Sequence, residues 1–151
     1  MEFASYITGF TDGEGSFSIS FSRRNKLRTG IEVKPSFSIS QHKRSLKVLQ
    51  EIKQYFGVGA IRFSASDQNY KYEVRSINDL VHKIIPHFKA YPLKTSKSKD
   101  FEIFSEICQM IVTNKHRSVQ YLAGIIDQAY LMNESGKRKY TKQVLLKFLT
   151  R

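Results

Sequence analysis

The chain lacks the features of a cross-linked, zinc-clustered or membrane-spanning protein. Its 151 residues include one cysteine, Cys108, so no intrachain disulfide can form. Cys108 falls in an apolar helical pattern, which makes it a core residue rather than a nucleophile. Cysteine and histidine never cluster at zinc-ligand spacing. No apolar run approaches the ~20 residues of a membrane helix, and no signal-peptide pattern is present. The expectation is a soluble, intracellular protein with no membrane or small-molecule partner. Acid is also scarce: 13 Asp and Glu stand against 25 Lys and Arg, leaving a net charge of +12. That excess favours an anionic partner, nucleic acid first and an anionic membrane surface second. The length suits a single domain, 1–151, with a core over roughly 1–113 and a helical extension over roughly 114–151.

The stretch Tyr6-Ile7-Thr8-Gly9-Phe10-Thr11-Asp12-Gly13-Glu14-Gly15-Ser16 organises the rest. An apolar helical start runs into two acids and three glycines. Gly9 and Gly13 are four apart and share one helix face. Each costs about 1 kcal/mol relative to alanine inside a helix, so something must approach that face closely. Glu14 falls where the helix should end, a carboxylate on a rigid tip and a suitable metal ligand. A helix C-terminus favours cations, yet this one carries Asp12 and Glu14. It therefore needs a compensating partner such as a cation, and Asp12 reads as a cap or support for the helix end.

Beyond the motif, Ser16-Phe-Ser-Ile-Ser-Phe-Ser22 alternates strictly and reads as a half-buried strand. Residues 23–30 form a basic hairpin loop, and a second strand runs from Ile31 to Gln41 with Pro35 marking an unpaired edge or a bulge. Helical spacing follows (Leu46, Leu49, Ile52, Phe56). A second hairpin (60–64 and 70–75) and a second helix (Ile77 to Phe88) complete two strand-strand-helix units. Helices should cover the apolar face of a four-stranded sheet, leaving a polar, basic face that could enter the major groove. Outward positions are Ser18, Ser20, Ser22, Arg24, Glu32, Lys34, Ser36, Ser38 and Arg62, with Lys26 and Arg28 in the hairpin loop. On the second hairpin, Tyr70 and Tyr72 have opposite parity to Lys71, Glu73 and Arg75, and either set could face outward. The last third is helical, with Lys137, Arg138 and Lys139 in a basic turn before a final helix packed by Val144, Leu145, Phe148 and Leu149. Leu122-Ala-Gly-Ile-Ile-Asp127 looks like a partial second copy of the first motif, but it lacks the following Gly-acid-Gly and reads as a core helix.

Residues Ile7 to Gly15 resemble the LAGLIDADG motif of homing endonucleases, position by position, with Glu14 at the acidic metal-ligand position. The tail resembles single-motif members from green-algal organelle introns. The resemblance implies an α+β, αββαββα fold: a saddle-like four-stranded antiparallel sheet with helices on one face and extra C-terminal helices. It implies a homodimer whose first helices cross at Ile7, Thr8, Gly9, Phe10 and Gly13. Such a dimer cuts both strands of a long, near-palindromic double-stranded DNA across the minor groove, leaving 3′ overhangs. Glu14 and the Gly13 carbonyl would hold Mg²⁺ or Mn²⁺, Gln41 would position water, and Lys97 would stabilise the phosphate, with Arg44, Lys94 and Lys99 as alternative cations. Lys137, Arg138 and Lys139 would touch the DNA backbone. Intron encoding would place the protein in a chloroplast or mitochondrion. The rival readings are an intron RNA maturase on the same scaffold and a DNA-binding module without cleavage; intact Glu14, Gln41 and Lys97 favour the nuclease.

Overall fold

Alternation of apolar and polar residues decides the strands. The computed structural model describes residues 2–132 and 138–149. The strands are β1 (Gly15–Arg23), β2 (Ile31–His42), β3 (Ala60–Ser64) and β4 (Asn69–Val74). They form one sheet in the order β1-β2-β4-β3. β4 is antiparallel to both neighbours, with Tyr72 opposite Ile39 of β2 and Ile61 of β3. Helix α1 (Phe3–Glu14) precedes the first hairpin, α2 (Leu46–Phe56) separates the two hairpins, and helical segments follow the second. The fold is α+β. The chain divides into two compact units, each built from two stretches: Met1–Phe17 with Ser36–Ser98, and Ser18–Pro35 with Lys99–Arg151.

The first unit is built on an aromatic core. Phe37 lies 5.2 Å from Phe17 and 5.5 Å from Phe88 between ring centroids, and edge-on to Phe56 and Tyr72. All five rings are buried. The Tyr72 hydroxyl donates to the Val58 carbonyl (2.8 Å), which lets a phenol sit in this core without an orphaned polar group. Helix α2 stops at Gly57, whose φ of +74° is left-handed and whose N–H closes onto Lys53. At Gly59 (φ +96°) a Cβ would stand 2.7 Å from the Tyr72 ring, so only glycine fits. The spacing from Ile77 to Phe88 predicts one continuous helix. Instead, α3 (Ile77–Asp79) passes through a π-helical turn (Leu80–Ile84) into α4 (Ile85–Ala90). Pro86 explains the widening: it brings no N–H, and its ring crowds the carbonyl four residues back.

The second unit contains α5 (Lys97–Val112) from Lys99 onward, α6 (Val119–Ala129) and α7 (Lys142–Phe148). The α5 face Phe101, Phe104, Ile107, Cys108 and Ile111 is buried, as its spacing requires. Burial pushes the Cys108 thiol up to about 12, which keeps it in the unreactive protonated form. Leu122, Ile125 and Ile126 are core residues of α6, as the sequence suggests for this partial copy of the motif. In α7 Leu145 is buried, whereas Val144, expected to pack, is 37% exposed.

Because Phe37 sits at the centre of five rings, Phe37→Ala should destabilise the protein by about 3–5 kcal/mol through lost contacts and a residual cavity. Urea unfolding would measure this; a loss below about 1 kcal/mol would show that the ring cluster does not carry the core.

Candidate active site and nucleic-acid interface

Helix α1 presents two different faces. Ile7, Thr8 and Thr11 are buried, while Gly9, Gly13 and Glu14 are exposed. Ile7 has no exposed surface, and the Thr8 side chain bonds within the chain, so neither side chain serves the expected interface between copies. This corrects the reading for Ile7 and Thr8 and leaves Gly9, half-buried Phe10 and Gly13. The three glycines of the motif also differ. A Cβ at Gly15 would lie 2.6 Å from Thr11 Cγ2 and 3.1 Å from the Thr11 carbonyl, so internal packing demands glycine there. A Cβ at Gly9 or Gly13 would meet nothing within 4 Å. The helix-propensity cost of those two residues is not repaid inside the chain.

The C-terminal end of α1 is pinned by one loop. Lys97 Nζ donates to the carbonyls of Thr11 (2.8 Å) and Asp12 (3.1 Å). This is the compensating cation that two acids at a helix C-terminus call for. Asp12 accepts from the backbone N–H groups of Lys94 (2.9 Å) and Thr95 (3.1 Å) and from the Thr95 hydroxyl (2.7 Å). Burial alone would raise the Asp12 carboxyl, but these donors and the nearby Lys97 charge hold it below the usual carboxylate value. Asp12 is thus structural: it caps the Lys94–Thr95 turn and ties that turn to the end of α1. Glu14 remains as the carboxylate at the helix tip, and α1 ends there, so the Gly13 carbonyl has no helical N–H four residues on. Among the described residues, no three His, Cys, Asp or Glu side chains gather into a metal cage. Gln41, at the end of β2, is half-buried and donates to the Ser40 carbonyl (2.9 Å). It lines a groove of about 600 Å³ with Tyr6, Phe10, Ser45 and Val48. The alternative cations Arg44, Lys94 and Lys99 are all exposed.

Register settles the open parity on the second hairpin. Tyr72 is buried, and its neighbours Lys71 and Glu73 pair with Ser40 and Ser38 of β2. Arg62 of β3 pairs with Lys71. Residues directly opposite one another share a face, so the polar face includes Ser38, Ser40, Arg62, Lys71, Glu73 and, by alternation, Arg75. Lys71, Glu73 and Arg75 are therefore the outward set. Strand alternation could not choose between the two sets, because both contain side chains able to face water. Ser36 shares this parity but is buried and donates to Glu73 (2.7 Å), which corrects its reading as an open base contact.

In the second unit, Ser20 donates to the Lys34 carbonyl (3.2 Å), while Ser22 and Arg24 both bond Glu32. Ser18 is half-buried; Arg24, Lys26, Arg28 and Lys34 are exposed. Arg138, expected on phosphate, instead turns inward. It donates to the carbonyls of Ile19 (2.8 Å) and Ala129 (2.6 Å) and lies 4.3 Å from the Tyr130 ring centroid. Its guanidinium satisfies a carbonyl at the C-terminus of α6, so it is a structural clamp. Lys139 is exposed, and Lys137 lies outside the described residues.

The family profile of LAGLIDADG endonucleases matches residues 7–108. A probable intron-encoded endonuclease of Neurospora crassa is 32% identical over 130 residues, which cover 85% of this chain and 29% of that protein. The chain therefore spans under a third of that relative's length. The homing endonuclease I-ApeII of Aeropyrum pernix is 30% identical over 95% of this chain and 88% of its own. The archaeal intron-encoded homing endonuclease I-Vdi141I, solved in complex with DNA, superimposes with a TM-score of 0.88 at 33% identity, covering 96% of this chain and 92% of its own. I-SmaMI, bound to an uncleaved DNA target in the presence of calcium ions, superimposes with a TM-score of 0.85 at 29% identity, covering 90% of this chain and 46% of its own.

The buried face of α1 generates a pH prediction. Thr8 gives its hydroxyl hydrogen to the Tyr91 carbonyl (2.8 Å), so His87 Nε2, 3.1 Å away, must carry the proton donated to Thr8 Oγ1. His87 Nδ1 then accepts from the Tyr55 hydroxyl (2.9 Å). Burial lowers His87 to about 4 from an ordinary 6.5. Since the folded value is the lower one, stability from neutral His87 is complete above pH 6.5 and is lost as pH falls towards 4. Thermal melts should show this loss, and His87→Gln should flatten it; an unchanged slope in that variant would remove His87 as its source.

Proposed function

Since the chain belongs to the LAGLIDADG endonuclease family, we propose that it is a site-specific homing endonuclease that acts on double-stranded DNA as a homodimer. The observation that carries this reading is the outer edge of α1. Two glycines at which a Cβ would meet nothing within 4 Å among the described residues stand on the same helix as an exposed carboxylate. A second copy crossing at Gly9, Phe10 and Gly13 would use the space a Cβ would take and would bring two Glu14 side chains together. I-SmaMI accommodates the chain in 46% of its length, which agrees with a site assembled from two such units.

One carboxylate and one free carbonyl do not make a closed cation site. They suit Mg²⁺ or Mn²⁺, which keeps waters and takes only one or two carboxylates with phosphate oxygens. When bound, such an ion supplies charge neutralisation at the phosphate and acidifies water. Glu14 and Gly13 would hold it. Lys97 fixes the end of α1 and adds positive charge where the phosphate gains negative charge. Gln41 presents an amide at the end of β2 that suits a water-positioning role. The polar sheet face supplies base contacts through Ser38 and Arg62 and, in the second unit, through Ser18, Ser20, Ser22, Arg24, Glu32 and Lys34. Lys26, Arg28, Lys137 and Lys139 would position the backbone without specifying sequence. The reaction is phosphodiester hydrolysis on both strands of a long, near-palindromic site across the minor groove, with 3′ overhangs.

Cleavage of a randomised duplex pool with Mg²⁺, followed by sequencing of the cut ends, tests this reading. One long near-palindromic site with 3′ overhangs is expected. Glu14→Gln should bind that site and fail to cut it; normal cutting by the variant would reject the assignment of Glu14. Gly13→Ala tests assembly separately. It should leave the monomer as stable or up to about 1 kcal/mol more stable, because alanine favours the helix and meets open space. Self-association should weaken, as read by sedimentation equilibrium. Unchanged association would remove Gly13 from the interface.

A further inference from the structure

A carboxylate on a phosphate-facing surface opposes binding. Glu73 is nonetheless held firmly on that face. Its side chain is only 21% exposed, and its Oε2 accepts from the buried Ser36 hydroxyl at 2.7 Å. Lys71 Nζ lies 3.7 Å from Oε2, and Arg75 Nε lies 3.8 Å from Oε1. Both separations exceed hydrogen-bond length, and the two cationic side chains remain 51% and 61% exposed. A fixed acid thus lies close to two cations that remain open to solvent. An acid retained merely for solubility would project into water rather than bond a buried serine.

Arg75 approaches Glu73 through Nε. Its two terminal Nη groups, the pair whose spacing matches guanine O6 and N7, are not the atoms nearest the carboxylate. Glu32 in the second unit offers a contrast. It also accepts from a serine, Ser22, but it engages Arg24 through Nη1 at 3.1 Å, so part of that fork is occupied. The two carboxylates share a chemical composition and differ in what they leave available.

We propose that Glu73 is a specificity-determining positioning residue: it orients Arg75 towards a guanine edge in the major groove and repels phosphate from Arg75 and Lys71. The inference rests on the DNA-endonuclease reading and deepens it. A guanidinium drawn towards a fixed carboxylate on its Nε side would have fewer ways to present its fork, which would sharpen discrimination. The nearby negative charge discourages the same cations from settling on phosphate, where they would bind every sequence alike.

The test compares the full-length protein with Glu73→Gln, Arg75→Ala and the double variant. Each is selected against a randomised duplex pool without divalent metal, and affinity for the selected site is measured at several salt concentrations. Gln keeps an acceptor for Ser36 and removes only the charge. At one base-pair position in each half-site, Glu73→Gln should reduce guanine preference at least about fivefold. It should also steepen the log–log salt slope by about one as a cation turns to phosphate. Arg75→Ala should lose preference at the same position, and the double variant should lose nothing further there. Uniform weakening across sequences, an unchanged base profile, or additive losses in the double variant would overturn the proposal. A wild-type protein that selects no DNA sequence would instead reject the endonuclease reading, and Glu73's role with it.

Discussion

The negative end of helix α1 is the constraint on which the candidate site depends. The helix gathers partial negative charge at its last carbonyls and adds Asp12 and Glu14 in the same turn. Left alone, this end would fray. Lys97 places its ammonium on two of the carbonyls, and Asp12 spends its carboxylate on the Lys94–Thr95 turn. Each group compensates the other's element: the lysine follows the turn that the aspartate caps, and the aspartate lies on the helix that the lysine caps. The result is a helix end rigid enough to carry one uncommitted carboxylate. Asp12 is engaged by three donors, whereas Glu14 at the tip stays exposed.

Much of this was legible in the sequence because strand alternation and helical spacing are local signals. The alternating serines of β1 and β2 report a sheet with one wet face, and the gap between Gly9 and Gly13 reports a helix face stripped of side chains. What stayed hidden depended on partners distant in sequence. Nothing near Arg138 shows that it will donate to Ile19, 119 residues earlier. A basic run reads as phosphate-binding until one of its members is found satisfying carbonyls. Ser36 has the same parity as Ser38, but only the fold brings Glu73 to it, across 37 residues. Tyr70 and Tyr72 could have faced either way until register placed Tyr72 beside Phe37 and Phe56. Pro86 was visible throughout, yet its effect is absorbed by a wider helical turn rather than a break.

Charge on the polar sheet face is more structured than a net of +12 suggests. A uniformly basic surface would bind phosphate everywhere and discriminate little. Here Glu32 and Glu73 each sit beside arginine and serine, so cations that could serve as sticky contacts are locally balanced. Long-range attraction to a polyanion depends on the sum of charges, so local balancing leaves it in place. In the proposed reading, short-range selectivity would come from where the carboxylates are fixed. On that reading the exposed cations of the β1–β2 loop, Lys26 and Arg28, would supply affinity and the strands choice.

The three motif glycines separate what the chain needs for itself from what it holds ready for something else. Gly15 is required internally, since a side chain there would strike Thr11, a residue with no exposed surface and a stiff β-branched side chain. Gly9 and Gly13 answer to no internal neighbour, and helices do not retain glycine on an exposed face for stability. In the proposed dimer their smallness would let another backbone come within a side chain's width. In the proposed reading, an ion of the Mg²⁺ type takes one or two carboxylates, and among the described residues α1 offers one at its tip, Glu14, so a second would come from a second copy. The open glycine face of α1 and the single carboxylate at its tip are two separate features that the proposed second copy would explain together.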